Sequence, residues 1–265
     1  MGQVQFPALL DAVYRAALDR AGNAPNRPIS VNTEMFHYFD QKYFVVDVHR
    51  RILRRDHAMN TLIVRRSPHD SNRFTGQSHQ PLIAGCEGLY CALQPQALVN
   101  EVAHYVESER AQKAAALGVA TPKPLPRTAV MYAKAAVKIR TMDFVLAADF
   151  SPHNPSGMQF VNSLSADSKV RAEMATAGKG ATSLWNAMND GEDYSVARGL
   201  GLAMAKYRYA ALCVQTARTS ERSDLERGDN LVFFGKENNT ISGLSIVEAY
   251  LFPIAGPLEI YPVEF

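Results

Sequence analysis

Cysteine is scarce: Cys86, Cys91 and Cys213 are the three in 265 residues, widely spaced and in no C-x-x-C pair. That excludes a disulfide framework, and buried reduced thiols are expected. A surplus of one charge sign is also missing, since 28 basic and 26 acidic residues leave a net +2. Such a balance does not make a phosphate-tracking surface, so direct nucleic-acid binding is not indicated. The first twenty residues hold no uncharged apolar run, because Asp11, Arg15, Asp19 and Arg20 interrupt it. This excludes a signal-peptide core or membrane span there, and a cytoplasmic location is expected, in the producing cell or in a target cell after export. The histidines His37, His49, His57, His69 and His79 are scattered without the i, i+4 pairing of a zinc helix. No metal is expected from them.

What is present describes a self-folding chain. Hydrophobic residues make up 47% and charged residues 20%, with 12 Phe and 11 Tyr, a composition unlike disordered sequence. The length allows one large domain or one domain with an appendage. Leu9, Leu10, Val13, Ala16, Ala17 and Arg20 recur at helical spacing, giving an amphipathic helix that stops near Gly22. The aromatic run in residues 32–55 mixes strand and helix periods. Residues 1–57 are therefore assigned to an N-terminal helical extension, a candidate surface for homo-oligomer assembly, and residues 58–265 to the main domain.

Within that domain Asn60 to Arg66 and Gly88 to Ala92 read as strands, and Pro95 opens a helix running to about Arg110. Strands are also expected at Ala129 to Ala136, Met142 to Ala148, Ala210 to Gln215, Asn230 to Phe234 and Leu244 to Phe252. Asp149 to Gly157 reads as a turn, Gln159 to Ser165 and Asp193 to Arg208 as helices, and Ala175 to Ala181 as a flexible stretch. Strands and helices so interspersed, without repeats, give a mixed α+β class.

The chemistry concentrates between residues 65 and 105. Leu98, Val102 and Tyr105 form the apolar stripe of the helix from Pro95, and Glu101 falls on that face. A carboxylate turned toward a core is either a structural partner of an arginine or a catalytic group. Arg65 ends one strand, Arg73 lies in the following loop and Tyr90 in the strand before the helix. Two arginines offer forks for a pyrophosphate, and a tyrosine offers a ring face for a flat heterocycle. The alternatives are a solvated arginine and a core tyrosine. Glu101 and His104 make a single E-x-x-H without the second copy a di-metal bundle needs. Gly178-Lys179-Gly180-Ala181-Thr182 lacks the leading strand of a P-loop, and Gly199-Leu200-Gly201 suits close helix packing.

Several of these segments resemble the RES domain of bacterial toxins. They are Arg73-Phe74, Gly88-Leu89-Tyr90-Cys91-Ala92-Leu93, Ala97 to Val102, Ala211 to Arg218, and Asp229-Asn230-Leu231-Val232-Phe233-Phe234, in that order. The likeness spans about residues 60 to 236. It implies an ADP-ribosyltransferase-like central bent sheet flanked by helices, which binds NAD+ as substrate and cleaves its nicotinamide–ribose bond. The ADP-ribose acceptor is phosphate, water or a protein, corresponding to an NAD phosphorylase, a glycohydrolase or an ADP-ribosyltransferase. By position, Arg65 and Arg73 would hold the phosphates, Tyr90 would pack on the nicotinamide side, Glu101 would stabilise the ribose cation, and Thr216 and Asn230 would complete the site. A neutralising antitoxin with an Xre-like part is the partner the family implies. Two departures stand out: Thr216 occupies the place of a family serine, with Ser220 or Ser223 as alternatives, and Ser71 and Asn72 replace glycines before Arg73. Arg66 is an alternative to Arg65. A catalytically silent NAD-binding or interaction module on the same fold is the competing reading.

Overall fold

The computed structural model describes residues 6–30, 33, 35–39, 44–47, 52–55, 74, 76–77, 80–81, 88–93, 111–120, 130–137, 144–189, 193–215, 229–234, 244–252, 259–261 and 263–264. The expected strand at 60–66 and the helix from Pro95 to Arg110 lie outside the described residues, although residues 111–116 are helical.

Nine strands form one mixed sheet in the order β1 (Asn26–Ser30), β9 (Phe144–Phe150), β10 (Ala211–Gln215), β11 (Asp229–Phe234), β7 (Gly88–Ala92), β2 (Met35–Phe39), β8 (Val130–Val137), β12 (Leu244–Phe252) and β13 (Glu259–Tyr261). Strands β3 (Phe44–Asp47), β4 (Ile52–Arg55) and β14 (Val263–Glu264) make a three-stranded sheet, and β5 (Gly76–Gln77) pairs with β6 (Gln80–Pro81). The class is α+β, a mixed sheet flanked by helices.

The parallel pair in the main sheet, β9 and β10, explains where the helices go. Parallel neighbours need a long crossover. Here it contains α2 (Pro155–Ser163), α3 (Ser168–Thr176), α4 (Leu184–Met188) and α5 (Ser195–Lys206). The starts of α2, α3 and α4 have a local cause. Asn154 accepts from Ser156 N–H ahead of Pro155, Asp167 accepts from Lys169 and Val170 N–H, and Ser183 accepts from Asn186 N–H. These are side-chain caps for otherwise orphaned donors.

The helix α1 (Ala8–Arg20) buries Leu9, Leu10, Ala12, Val13, Ala16 and Ala17 in the same core as Val196, Leu200, Ala203, Val214 and Val232. Strand β1 pairs along its whole length with β9, and β2 lies between β7 and β8. The Tyr209 hydroxyl lies 3.4 and 3.3 Å from the Ala21 and Ala24 carbonyls. The described residues of 1–57 thus hold α1 in the core, β1 and β2 in the main sheet, and β3 and β4 in the three-stranded sheet, which differs from the expected helical extension. The mixed aromatic run supplies β2, β3 and β4, with β2 inside the sheet. Strands of four and five residues are too short to show a period of two against so many aromatics.

Two further segments differ from expectation. Strand β9 runs on to Phe150 and α2 begins at Pro155, which shortens the turn between them. The stretch from Ala175 overlaps α3, whose buried residues, Val170 and Met174, give too thin an apolar stripe to announce a helix. Gly178, at φ +73°, ends it: the Lys179 N–H donates to the Met174 carbonyl at 2.8 Å, a glycine C-terminal cap. The Lys179 ammonium then pairs with Asp193 at 3.2 Å.

Close packing at α5 agrees with the reading of its glycines. A Cβ on Gly199 would meet the Leu10 carbonyl at 2.8 Å and Val13 at 2.9 Å, and one on Gly201 would strike the Phe74 carbonyl and come within 2.9 Å of its Cβ. Gly199→Ala and Gly201→Ala should each destabilise by about 1–3 kcal/mol, because overpacking outweighs alanine's helix preference of about 1 kcal/mol. Urea unfolding measures this, and a gain in stability would refute the packing account.

Candidate functional site

Strand register builds the site. Phe150, Val214, Asn230, Ala92 and Phe36 lie in one row across β9, β10, β11, β7 and β2. The carboxyl ends of β7, β9 and β10 therefore meet the start of β11 at one end of the sheet. Ligands of open sheets collect at such ends, where loops rise from a rigid base. Beside that row, Asp229 is the ladder partner of Gln215, and its carbonyl accepts the Leu93 N–H at 2.9 Å.

The two faces of these strands differ. Ala148, Phe150, Leu212, Val214, Val232 and Phe234 face the helical core. Ile29, Cys91, Ala147, Ala211, Cys213, Leu231 and Phe233 form a second, smaller apolar layer. At its end stand Asp149, Asp229 and Arg27. Arg27 begins opposite Ala147, whose short side chain leaves room for the guanidinium to lie across the sheet. Its Nη1 comes within 3.6 Å of Asp229 Oδ2 and 3.8 Å of Cys213 Sγ. Asp149 Oδ1 accepts the Ser151 N–H at 3.0 Å.

Asp149 and Asp229 are each 8% exposed. Burial pushes the Asp229 carboxyl above its ordinary range; His153 and Arg27 pull it down, and Asp149 pushes it further up. Its Oδ1 is closed off from solvent and has no hydrogen-bond partner among the described residues. Burial, with Asp229 and Asp149 adding to it, also raises the Cys213 thiol, against a lowering by Arg27. Such a thiol stays protonated and unreactive. Cys91 and Cys213 are free and buried, as expected of reduced thiols; Cys86 lies outside the described residues.

No protein-family model matches the chain, and no curated protein does. Among solved structures it is similar to a chain in the crystal structure of the M. tuberculosis MbcT-MbcA toxin-antitoxin complex. The two share 17% identity over 93% of this chain and 95% of that one, with a TM-score of 0.48.

Of the residues singled out in the sequence, Asn230 is placed in full: it is 2% exposed in β11, with Ala92 and Val214 as ladder neighbours. Tyr90 stands opposite Val232, so Tyr90 and Asn230 take diagonal positions of the β7–β11 ladder, a spacing of about 7–8 Å in such ladders. Arg65, Arg66, Arg73, Glu101, Thr216, Ser220 and Ser223 lie outside the described residues. Two of them adjoin a described residue in the chain. Thr216 follows Gln215, the ladder partner of Asp229. Arg73 precedes Phe74, which is fully buried against Gly201.

The groups missed in the sequence are Arg27, Asp149 and Asp229. An aspartate heading the apolar run Asn230 to Phe234 was the available signal, since a carboxylate leading into a buried strand must find a partner or carry a cost. No group of His, Cys, Asp or Glu that could hold a metal ion is found among the described residues. No described helix is long and apolar enough to cross a membrane.

The raised Asp229 carboxyl makes stability depend on pH. The folded state holds this proton more tightly than the unfolded chain, so the group's stabilising contribution is complete below its ordinary value of 3.8 and is lost as pH rises through the folded-state value. Asp229→Asn should remove that loss. Urea midpoints from about pH 4 to about pH 7 should fall for the unsubstituted chain relative to the variant; parallel curves would contradict the shift.

Proposed function

We propose that this chain is a toxin-like enzyme that cleaves the nicotinamide–ribose bond of NAD+, as an NAD phosphorylase or glycohydrolase. The observation that carries the reading is the ordered set of RES-like segments between residues 73 and 234, two of which, β7 and β11, are ladder neighbours. The diagonal placement of Tyr90 and Asn230, with Thr216 next along from the partner of Asp229, supports one site at the sheet end.

In this reading the forks of Arg65 and Arg73 hold the two phosphates and fix the ribose beyond them. The Tyr90 ring packs on the nicotinamide side. As the ribose C1–nitrogen bond breaks, its electron pair stays with the ring nitrogen, which loses its positive charge and departs as neutral nicotinamide. The charge left on the sugar is of oxocarbenium type, and a fixed Glu101 carboxylate stabilises it. Phosphate or water then adds its oxygen at C1, with loss of a proton when water is the acceptor. In this reading the Thr216 hydroxyl would orient the ribose or the acceptor, and its methyl group restricts the rotamers available to it.

Uncontrolled NAD+ loss would arrest the cell that makes the enzyme. A neutralising protein that covers the sheet-end cleft therefore belongs to the proposal. Thr216 in place of serine, and Ser71 and Asn72 in place of glycines, favour a second reading: an NAD-binding module without turnover.

The deciding measurement is nicotinamide released from NAD+ by the purified chain, with and without phosphate, beside Glu101→Gln. Release is expected, lowered about 100- to 1000-fold in the variant as for loss of one electrostatic stabiliser. A phosphate requirement would identify the phosphorylase. NAD+ binding without release would favour the silent module, unless an added protein acceptor becomes ADP-ribosylated.

A further inference from the structure

A cavity of about 620 Å³ opens within the helical crossover, between the end of α2, the outer side of α3 and the loop into α4. That volume falls in the range of small-molecule sites. Among the described residues its walls come from 162–184 alone, so it shares no side chain with the sheet end.

Local bonds fix its shape. Asn162 Oδ1 accepts the Trp185 N–H at 3.0 Å, which ties the end of α2 to the start of α4. On the loop side the Lys179 ammonium is held by Asp193 at 3.2 Å, and the Lys179 carbonyl accepts the Thr182 N–H at 2.9 Å. A cavity held by bonds that are already made needs little ordering to receive a ligand.

Its lining is chemically uneven. Met174, Ala175, Ala181 and Leu184 contribute apolar side chains. The Ser163 and Ser165 hydroxyls are spent on the Phe160 and Asn162 carbonyls, at 2.7 and 2.6 Å. Ser183 Oγ accepts the Asn186 N–H at 3.1 Å, which leaves its own proton available. Arg171 is the one ionisable side chain among the described lining residues. Its Nε and Nη2 lie 3.4 Å from the Ser165 carbonyl, a long contact that anchors the guanidinium without saturating it.

One positive charge, a hydroxyl donor and an apolar wall are complementary to a singly charged carboxylate with a hydrocarbon body. A neutral amide would forgo the charge-assisted bond. A phosphate monoester brings about 1.5 to 2 negative charges, more than one guanidinium offsets. We propose that this cavity binds a small organic monocarboxylate, its oxygens on Arg171 and the Ser183 hydroxyl and its hydrocarbon against Met174 and Leu184. Such a site is independent of the NAD-cleaving reading.

The test is calorimetric titration of the full chain with benzoate, octanoate, benzamide and phenyl phosphate, repeated on Arg171→Gln and Ala181→Phe with melting temperatures recorded. At least one of the two acids should bind, about tenfold or more tighter than benzamide. Arg171→Gln should weaken that acid about tenfold and leave benzamide unchanged. Its melting temperature should hold, because Arg171 is exposed. Ala181→Phe places a ring in the cavity from an exposed loop position and should weaken acid and amide alike. Absence of acid binding at millimolar concentration, or acid binding indifferent to both substitutions, would overturn the site. Tighter binding of phenyl phosphate than of benzoate would overturn the choice of a monocarboxylate. An equal loss of acid and amide in Arg171→Gln, with a lower melting temperature, would make Arg171 structural and overturn its role.

Discussion

Strands β10 and β11 carry apolar side chains on both faces, and neither face can meet water without losing a large part of the hydrophobic stabilisation, at roughly 25 cal/mol per Å². On one side Leu212, Val214, Val232 and Phe234 need the helical layer. On the other, Cys213, Leu231 and Phe233 need the smaller layer with Ile29, Ala147 and Cys91. The parallel step from β9 to β10 meets the first need, because a long crossover of four helices has to cover the sheet. Helix α1 then packs on α5, and Gly199 and Gly201 let backbones approach closely where a methyl group would collide.

The same constraint makes the sheet end rigid. Once β10 and β11 are locked by packing, Asp229 and Asn230 have no freedom to move away from the positions their ladder partners assign. Their side chains follow the pleat to opposite faces, Asn230 toward the helical layer and Asp229 toward Arg27 and Cys213. A buried acceptor held this way opposes folding.

Much of the element pattern was legible from residue order alone. Helix α1 shows itself in Leu9, Leu10, Val13, Ala16 and Ala17, strands β10 and β11 in uninterrupted apolar runs, and the role of Gly199 and Gly201 in their place within an apolar helix. These signals are local, since they depend on periodicity and backbone sterics within a few residues. The membership of β1 and β2 in the central sheet was not legible, because they find their partners far along the chain, at Ala92, Ala133 and Ala148 among others. Nor was the meeting of Arg27, Asp149, Cys213 and Asp229, four residues from four strands. Residue order by itself determined elements such as α1, β10 and β11 and the motifs they carry. Only the tertiary structure decided which polar groups share a strand end, because long-range pairing and burial, and not local propensity, set those distances.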